Sequence, residues 1–136
     1  IGSDGRMLIQ QRQPFKHGFS NLWDVSAGGS AVAGETSAAA AMREVREEIG
    51  VTLDLNGVRP HYSVTYGEGF DDWYVVKADP DIESLELQYE EVQAVRWASE
   101  EEVLAMIDSG VFIPYFKGYI STIFNTADQY GSIRGK

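Results

Sequence analysis

A chain of 136 residues is one domain's worth of polypeptide, and 43% hydrophobic with 24% charged residues suits a globular protein with a substantial core. The formal net charge of −10 argues against a general nucleic-acid binder, which needs a basic footprint. The absence of cysteine excludes disulfides, zinc–thiolate sites and thiol nucleophiles together, and fits a cytoplasmic protein.

No internal repeat, low-complexity stretch or apolar run near the roughly 18 residues of a membrane span is present. Gly2 to Gly5 is turn material, and Met7 to Arg12 (MLIQQR) predicts a short strand. Gln13 to Gly18 is a loop punctuated by proline and glycine. Leu22 to Ser26 (LWDVS) predicts a second strand, broken by Gly28-Gly29.

The next segment predicts a helix. Ala38, Ala41, Met42, Val45 and Ile49 form one apolar stripe. Thr36 or Ser37 can cap its start, and Gly50 suits the left-handed position after its end. Glu44, Glu47 and Glu48 are spaced i, i+3, i+4, which gathers three carboxylates in one sector of about 100°. Their repulsion costs a few tenths of a kcal/mol per pair, and the last turn of a helix disfavours anions. A divalent cation bound by oxygen ligands would offset both penalties. The glutamate sector is expected to face away from the stripe.

His61 to Tyr66 and Asp72 to Ala78 predict neighbouring strands around Gly67-Glu68-Gly69, and Val92 to Ala98 another strand. Ser99 with Glu102 forms a capping box that opens a second helix, ended by Gly110. A third helix is expected from about Pro114 to Thr126, with a frayed tail from Asp128 to Lys136. Strands and helices in this order suggest α+β layering, a mixed sheet between helices.

Gly29, Glu35, Arg43, Glu44, Val45, Glu47, Glu48, Gly50 and Val51 resemble the complete signature of the Nudix hydrolases, with both of its spacings intact. The resemblance implies an α/β/α sandwich and Mg²⁺-dependent (or Mn²⁺-dependent) cleavage of a diphosphate bond in a small molecule. In that fold a strand usually precedes the one at Met7; only six residues come before it, so that strand is expected to be missing here. By similarity to the family, Glu44, Glu47 and Glu48 are metal ligands, joined by the Gly28 carbonyl. Glu44 or Glu48 would orient or deprotonate water. Arg43 would hold the glutamates in place by forked hydrogen bonds, with Glu35 closing a similar contact. Glu91, or its neighbour Glu90, stands where many relatives place a further acid.

The pieces LIQQRQPFK and NLWDVSAGG also resemble isopentenyl diphosphate isomerase, a relative of the hydrolases, in which an Arg and a Lys spaced like Arg12 and Lys16 bind diphosphate. Arg12 and Lys16 are therefore candidate phosphate ligands, and Trp23, Tyr66, Phe70 and Trp73 candidate stacking or packing residues. The isomerase needs a cysteine where this chain has Gly28, and its box departs from the hydrolase pattern. A non-catalytic binding module would commonly lose box glutamates, and all are present. A hydrolase of nucleoside diphosphate derivatives or other small organic diphosphates is therefore expected. No nucleic-acid polymer or membrane is expected as a partner, and a homodimer is left open.

Overall fold

The computed structural model describes residues 1–135. In chain order it contains β1 (Met7–Arg12), β2 (Trp23–Asp24), α1 (Ser37–Ile49), β3 (Tyr62–Tyr66), β4 (Gly69–Trp73), a 3₁₀ turn (Ile82–Ser84), β5 (Val92–Ala98), α2 (Glu100–Asp108) and α3 (Lys117–Asn125). β1 is the middle strand of a three-stranded sheet, antiparallel to β2 and to β5. β3 and β4 form a separate antiparallel hairpin. A parallel bridge joins Trp23 and Phe112, and the Ile1 nitrogen donates to the Val76 carbonyl at 2.8 Å while its carbonyl accepts from the Ala78 amide.

Met7, Leu8, Ile9 and Gln10 of β1 are all buried, so the strand is covered on both faces. The period of two sends Met7 and Ile9 to one side, where they pack with Val103 of α2 and Ile120 and Ile123 of α3. Ile9, Val103 and Ile120 are fully buried, each contributing about 1.5–3 kcal/mol. Leu8 and Gln10 face the other way, toward α1. The layers are thus α1, sheet, then α2 with α3, the α+β sandwich that the element order suggested.

α1 starts where Thr36 accepts a hydrogen bond from the Ala39 amide at 3.1 Å. Ser37, the alternative cap, instead bonds the Tyr74 hydroxyl at 2.7 Å. The helix stops at Gly50, whose φ of +75° suits glycine and where a Cβ would lie 3.0 Å from the Glu86 backbone nitrogen. One expectation fails here: Glu48 does not face outward with its neighbours. It is only 5% exposed, turned under the helix against Gln10 of β1.

The hairpin differs from its expected form because its turn holds two residues, so Tyr66 pairs with Gly69. The strand that follows ends at Trp73. Beyond it, Val75 donates to the His61 ring and Val76 and Ala78 pair with Ile1, drawing this stretch off the hairpin. The capping box of α2 is present as expected. α3 begins three residues late, since the Tyr115 amide turns back to the Ile113 carbonyl at 2.7 Å and the Tyr115 hydroxyl reaches Asp24. The tail has no regular structure between Ala127 and Gly135, yet Tyr130 stacks on His61 with ring centroids 4.2 Å apart. Lys136 lies outside the described residues.

Candidate active site

Arg43 organises the box. Its guanidinium bonds Glu35 through Nε at 2.7 Å and through a terminal nitrogen at 3.1 Å, and the Ser30 carbonyl at 3.2 Å. Its other terminal nitrogen lies 3.0 Å from Glu44 and 3.2 Å from Glu47. One cation thus ties Glu35 and Ser30 of the loop before α1 to two acids of the helix, Glu44 and Glu47, the forked arrangement that arginine favours. Glu35 also accepts from the Val32 amide at 2.9 Å. The Arg43 bonds, with that amide, hold the Glu35 carboxyl at about 2, far below its ordinary value.

Glu44 and Glu48 are the two carboxylates that meet. Glu48 accepts from the Gln10 amide at 2.8 Å, and Gln10 is itself fixed by the Ser26 carbonyl at 2.7 Å. The Gly28 amide also faces the Glu48 carboxylate. These donors do not offset burial and the crowding by Glu44, and the Glu48 carboxyl is pushed up to about 8. Glu44 occupies the space that glycine leaves at position 29, where a Cβ would sit 2.3 Å from its carboxylate.

Among the described residues no three acids converge on one point. Glu47 is drawn off to Arg43 and is 44% exposed. The donor set still fits a hard divalent cation: two carboxylates forced together, all oxygen, beside the open backbone of Gly28. Mg²⁺ takes few protein carboxylates and keeps its waters, so a pair suffices.

Glu44, Glu35, Gly28 and Gly29 line the edge of a cavity of about 700 Å³ between α1, the β2 end of the sheet and the β3–β4 hairpin. Tyr66, Phe70, Trp73 and Tyr74 supply its aromatic wall. Of the aromatic candidates, these three from the hairpin, Tyr66, Phe70 and Trp73, border the cavity. Trp23 does not, since it packs against the core and carries the Arg96 guanidinium 5.6 Å from its ring centre.

The remaining candidates lie away from the cavity. Arg12 donates to the Gly18 carbonyl at 2.9 and 3.2 Å, closing the loop after β1. Lys16 and Glu91, both singled out in the sequence, are ion-paired with each other. Glu90 is exposed.

Two features escaped the sequence reading. Gln10 offered a signal, a glutamine inside an apolar strand, whose buried amide demanded a partner. The Asp24–Tyr115 contact, 2.6 Å across 91 residues of chain, offered none.

The family model of the NUDIX domain matches residues 1–116. An uncharacterized Nudix hydrolase of Listeria monocytogenes is 48% identical over 121 residues, covering 89% of this chain and 70% of that protein. The CTP pyrophosphohydrolase of Escherichia coli is 32% identical over 124 residues, covering 89% and 87%. The crystal structure of DR0079 from Deinococcus radiodurans superposes with a TM-score of 0.69 at 28% identity, covering 94% of this chain and 78% of that one.

Proposed function

The chain belongs to the Nudix hydrolase family, and we propose that it hydrolyses the diphosphate bond of a nucleoside diphosphate derivative or another small organic diphosphate with Mg²⁺ bound. The observation that carries this reading is the Glu44–Glu48 pair, two crowded carboxylates of which Glu44 lines a large cavity and Glu48 is buried behind it. The Escherichia coli relative's name, with its nucleotide substrate, supports placing a nucleoside on the organic side.

Glu44 and Glu48, with the Gly28 backbone, are the residues that would hold the cation. A bound divalent cation neutralises charge on the phosphate oxygens and makes its water more acidic. Mn²⁺ shares the preference for carboxylate and water ligands and would substitute. Glu44 borders the cavity and meets the attacking water. The water oxygen forms a bond to phosphorus, the bridging P–O bond breaks, and the water proton passes to the carboxylate. Gln10 holds Glu48 from beneath. Arg43 is a positioning residue, since its donors are already engaged by Glu35, Glu44, Glu47 and Ser30. Arg12 and Lys16 are proposed to meet the outer phosphate, which requires them to exchange Gly18 and Glu91 for it.

The test is a product-release assay over nucleoside, sugar, coenzyme A and prenyl diphosphates, run in ¹⁸O-labelled water. Label is expected in a phosphate-containing product. Interconversion of isopentenyl and dimethylallyl diphosphate without phosphate release would overturn the hydrolase reading.

A further inference from the structure

The cavity beside Glu44 has a definite chemical character. Among the described residues no Lys, Arg or His side chain lines it, whereas Asp24, Glu35, Glu44, Asp71 and Asp72 do. At about 700 Å³ it falls within the range of small-molecule sites, about 300–1,000 Å³. Tyr66 and Phe70, at the hairpin tip, line it and are 59% and 62% exposed. Such side chains suit a planar ring, because every nucleobase can stack on an aromatic side chain.

Asp24 is the polar group that could read such a ring. It lines the cavity from β2. Its Oδ1 accepts from the Val25 amide at 2.7 Å and from the Tyr115 hydroxyl at 2.6 Å, which fixes the carboxyl's orientation. Burial and the neighbouring Asp24 raise the Tyr115 pKa, so the phenol stays protonated and donates. Tyr115 is itself held edge-on by Trp73, centroids 5.5 Å apart. No hydrogen bond among the described residues reaches Oδ2, and that oxygen keeps its acceptor capacity. Asp24 precedes Gly28 by four residues, at most about 13 Å along extended backbone. One short segment therefore offers an acceptor at one end and the metal-side backbone at the other.

We propose that Asp24, oriented by Tyr115, is the specificity residue of this site and accepts a hydrogen bond from the exocyclic amino group of the substrate's nucleobase. This rests on the reading of the chain as a hydrolase of nucleoside diphosphate derivatives. A base with a carbonyl at that position places oxygen against oxygen and leaves a part-buried acceptor unpaired, and polar sites reject such analogues strongly.

Cytosine and uracil differ at this group, amino against carbonyl, so matched cytidine and uridine diphosphate compounds are the probes. The wild type is expected to favour the cytidine compound by about tenfold or more in kcat/KM. Asp24→Ala should bring the ratio to within about threefold, mainly through KM. Asp24→Asn keeps the shape and gains an amide donor, and should shift preference toward uridine. Tyr115→Phe should leave a smaller preference for cytidine. Equal wild-type rates on the two compounds, or an unchanged ratio in Asp24→Asn, would overturn the proposal. Hydrolysis of non-nucleoside diphosphates alone would overturn it while leaving the diphosphatase reading intact. Failure on every diphosphate would remove both.

Discussion

Gly29 and Glu44 compete for one volume: a Cβ built on Gly29 would lie 2.3 Å from the carboxylate carbon of Glu44. The obstacle is the end of a flexible side chain, not backbone. Gly29→Ala should therefore fold, with stability within about 1 kcal/mol of wild type, because Glu44 can swing aside. The swing takes it out of line with Glu48. The variant should lose activity by about tenfold or more, measured as kcat with saturating Mg²⁺. Full activity in a stable Gly29→Ala protein would mean that Glu44 is not needed where the structure puts it.

The pairing of Glu44 with Glu48 sets up a metal response. A cation that binds only the folded state stabilises it by mass action, about 2.7 kcal/mol at a hundredfold excess over Kd. Millimolar Mg²⁺ or Mn²⁺ should raise the melting temperature of the wild type and leave the Glu44→Gln/Glu48→Gln double variant unmoved. An equal rise in both proteins would place the metal elsewhere.

Glu48 also predicts a conflict between stability and activity. Burial and the Glu44 carboxylate both disfavour its charged form. Glu48→Gln keeps the shape and spares the fold the cost of protonating a carboxylate that is ionised in the unfolded chain, so the metal-free variant should be more stable than wild type at neutral pH, by about 1–3 kcal/mol. Its kcat should fall by orders of magnitude. Denaturant melts in a chelator and steady-state kinetics check the two halves separately. A metal-free variant less stable than wild type would contradict the crowding seen here.

That conflict also marks how far the sequence could be read. The apolar stripe, the caps and the spacing of the box are local, and they placed α1 and gathered Glu44, Glu47 and Glu48 on one sector. Which of the three is buried depends on what lies across the gap, and Gln10 is 38 residues away. Strand β1 was legible in full because its residues are strongly patterned. The hairpin's register was not, since Tyr74 to Ala78 has the composition of a strand that continues while its pairing goes to Ile1 and His61. Arg12 and Lys16 looked free because a sequence does not show that Gly18 and Glu91 stand close enough to occupy them.

The Glu35–Arg43 contact carries a pH signature. Glu35 titrates at about 2 in the folded protein against an ordinary value of 4.5. An acid with a depressed folded pKa contributes stability above its unfolded pKa and loses it as pH falls through the folded value. The contribution should thus be complete above about pH 5 and fade between about 4.5 and 2. Glu35→Gln should flatten that part of the wild-type curve of unfolding midpoint against pH, and should loosen Arg43 enough to lower kcat. Parallel curves for the two proteins over this window would show that the contact contributes nothing to folding.

Arg12 and Lys16 present the sharpest choice between a binding and a structural role. Both are charged and spaced by four residues, and both have protein partners that a phosphate could replace. A charge-assisted hydrogen bond is worth about 1.5–3 kcal/mol, so loss of either side chain should raise KM for a diphosphate substrate by about tenfold or more with kcat largely kept. A purely structural role gives a different pattern. Arg12→Ala would then release the Gly18 carbonyl and lower the melting temperature, with KM unchanged. Arg12→Lys separates the two further, because lysine keeps the charge but cannot make the paired Nε and terminal-nitrogen contacts to Gly18. If phosphate binding governs, Arg12→Lys recovers most of the KM lost in Arg12→Ala. If loop closure governs, the lysine variant melts as low as the alanine one and its KM stays at the wild-type value.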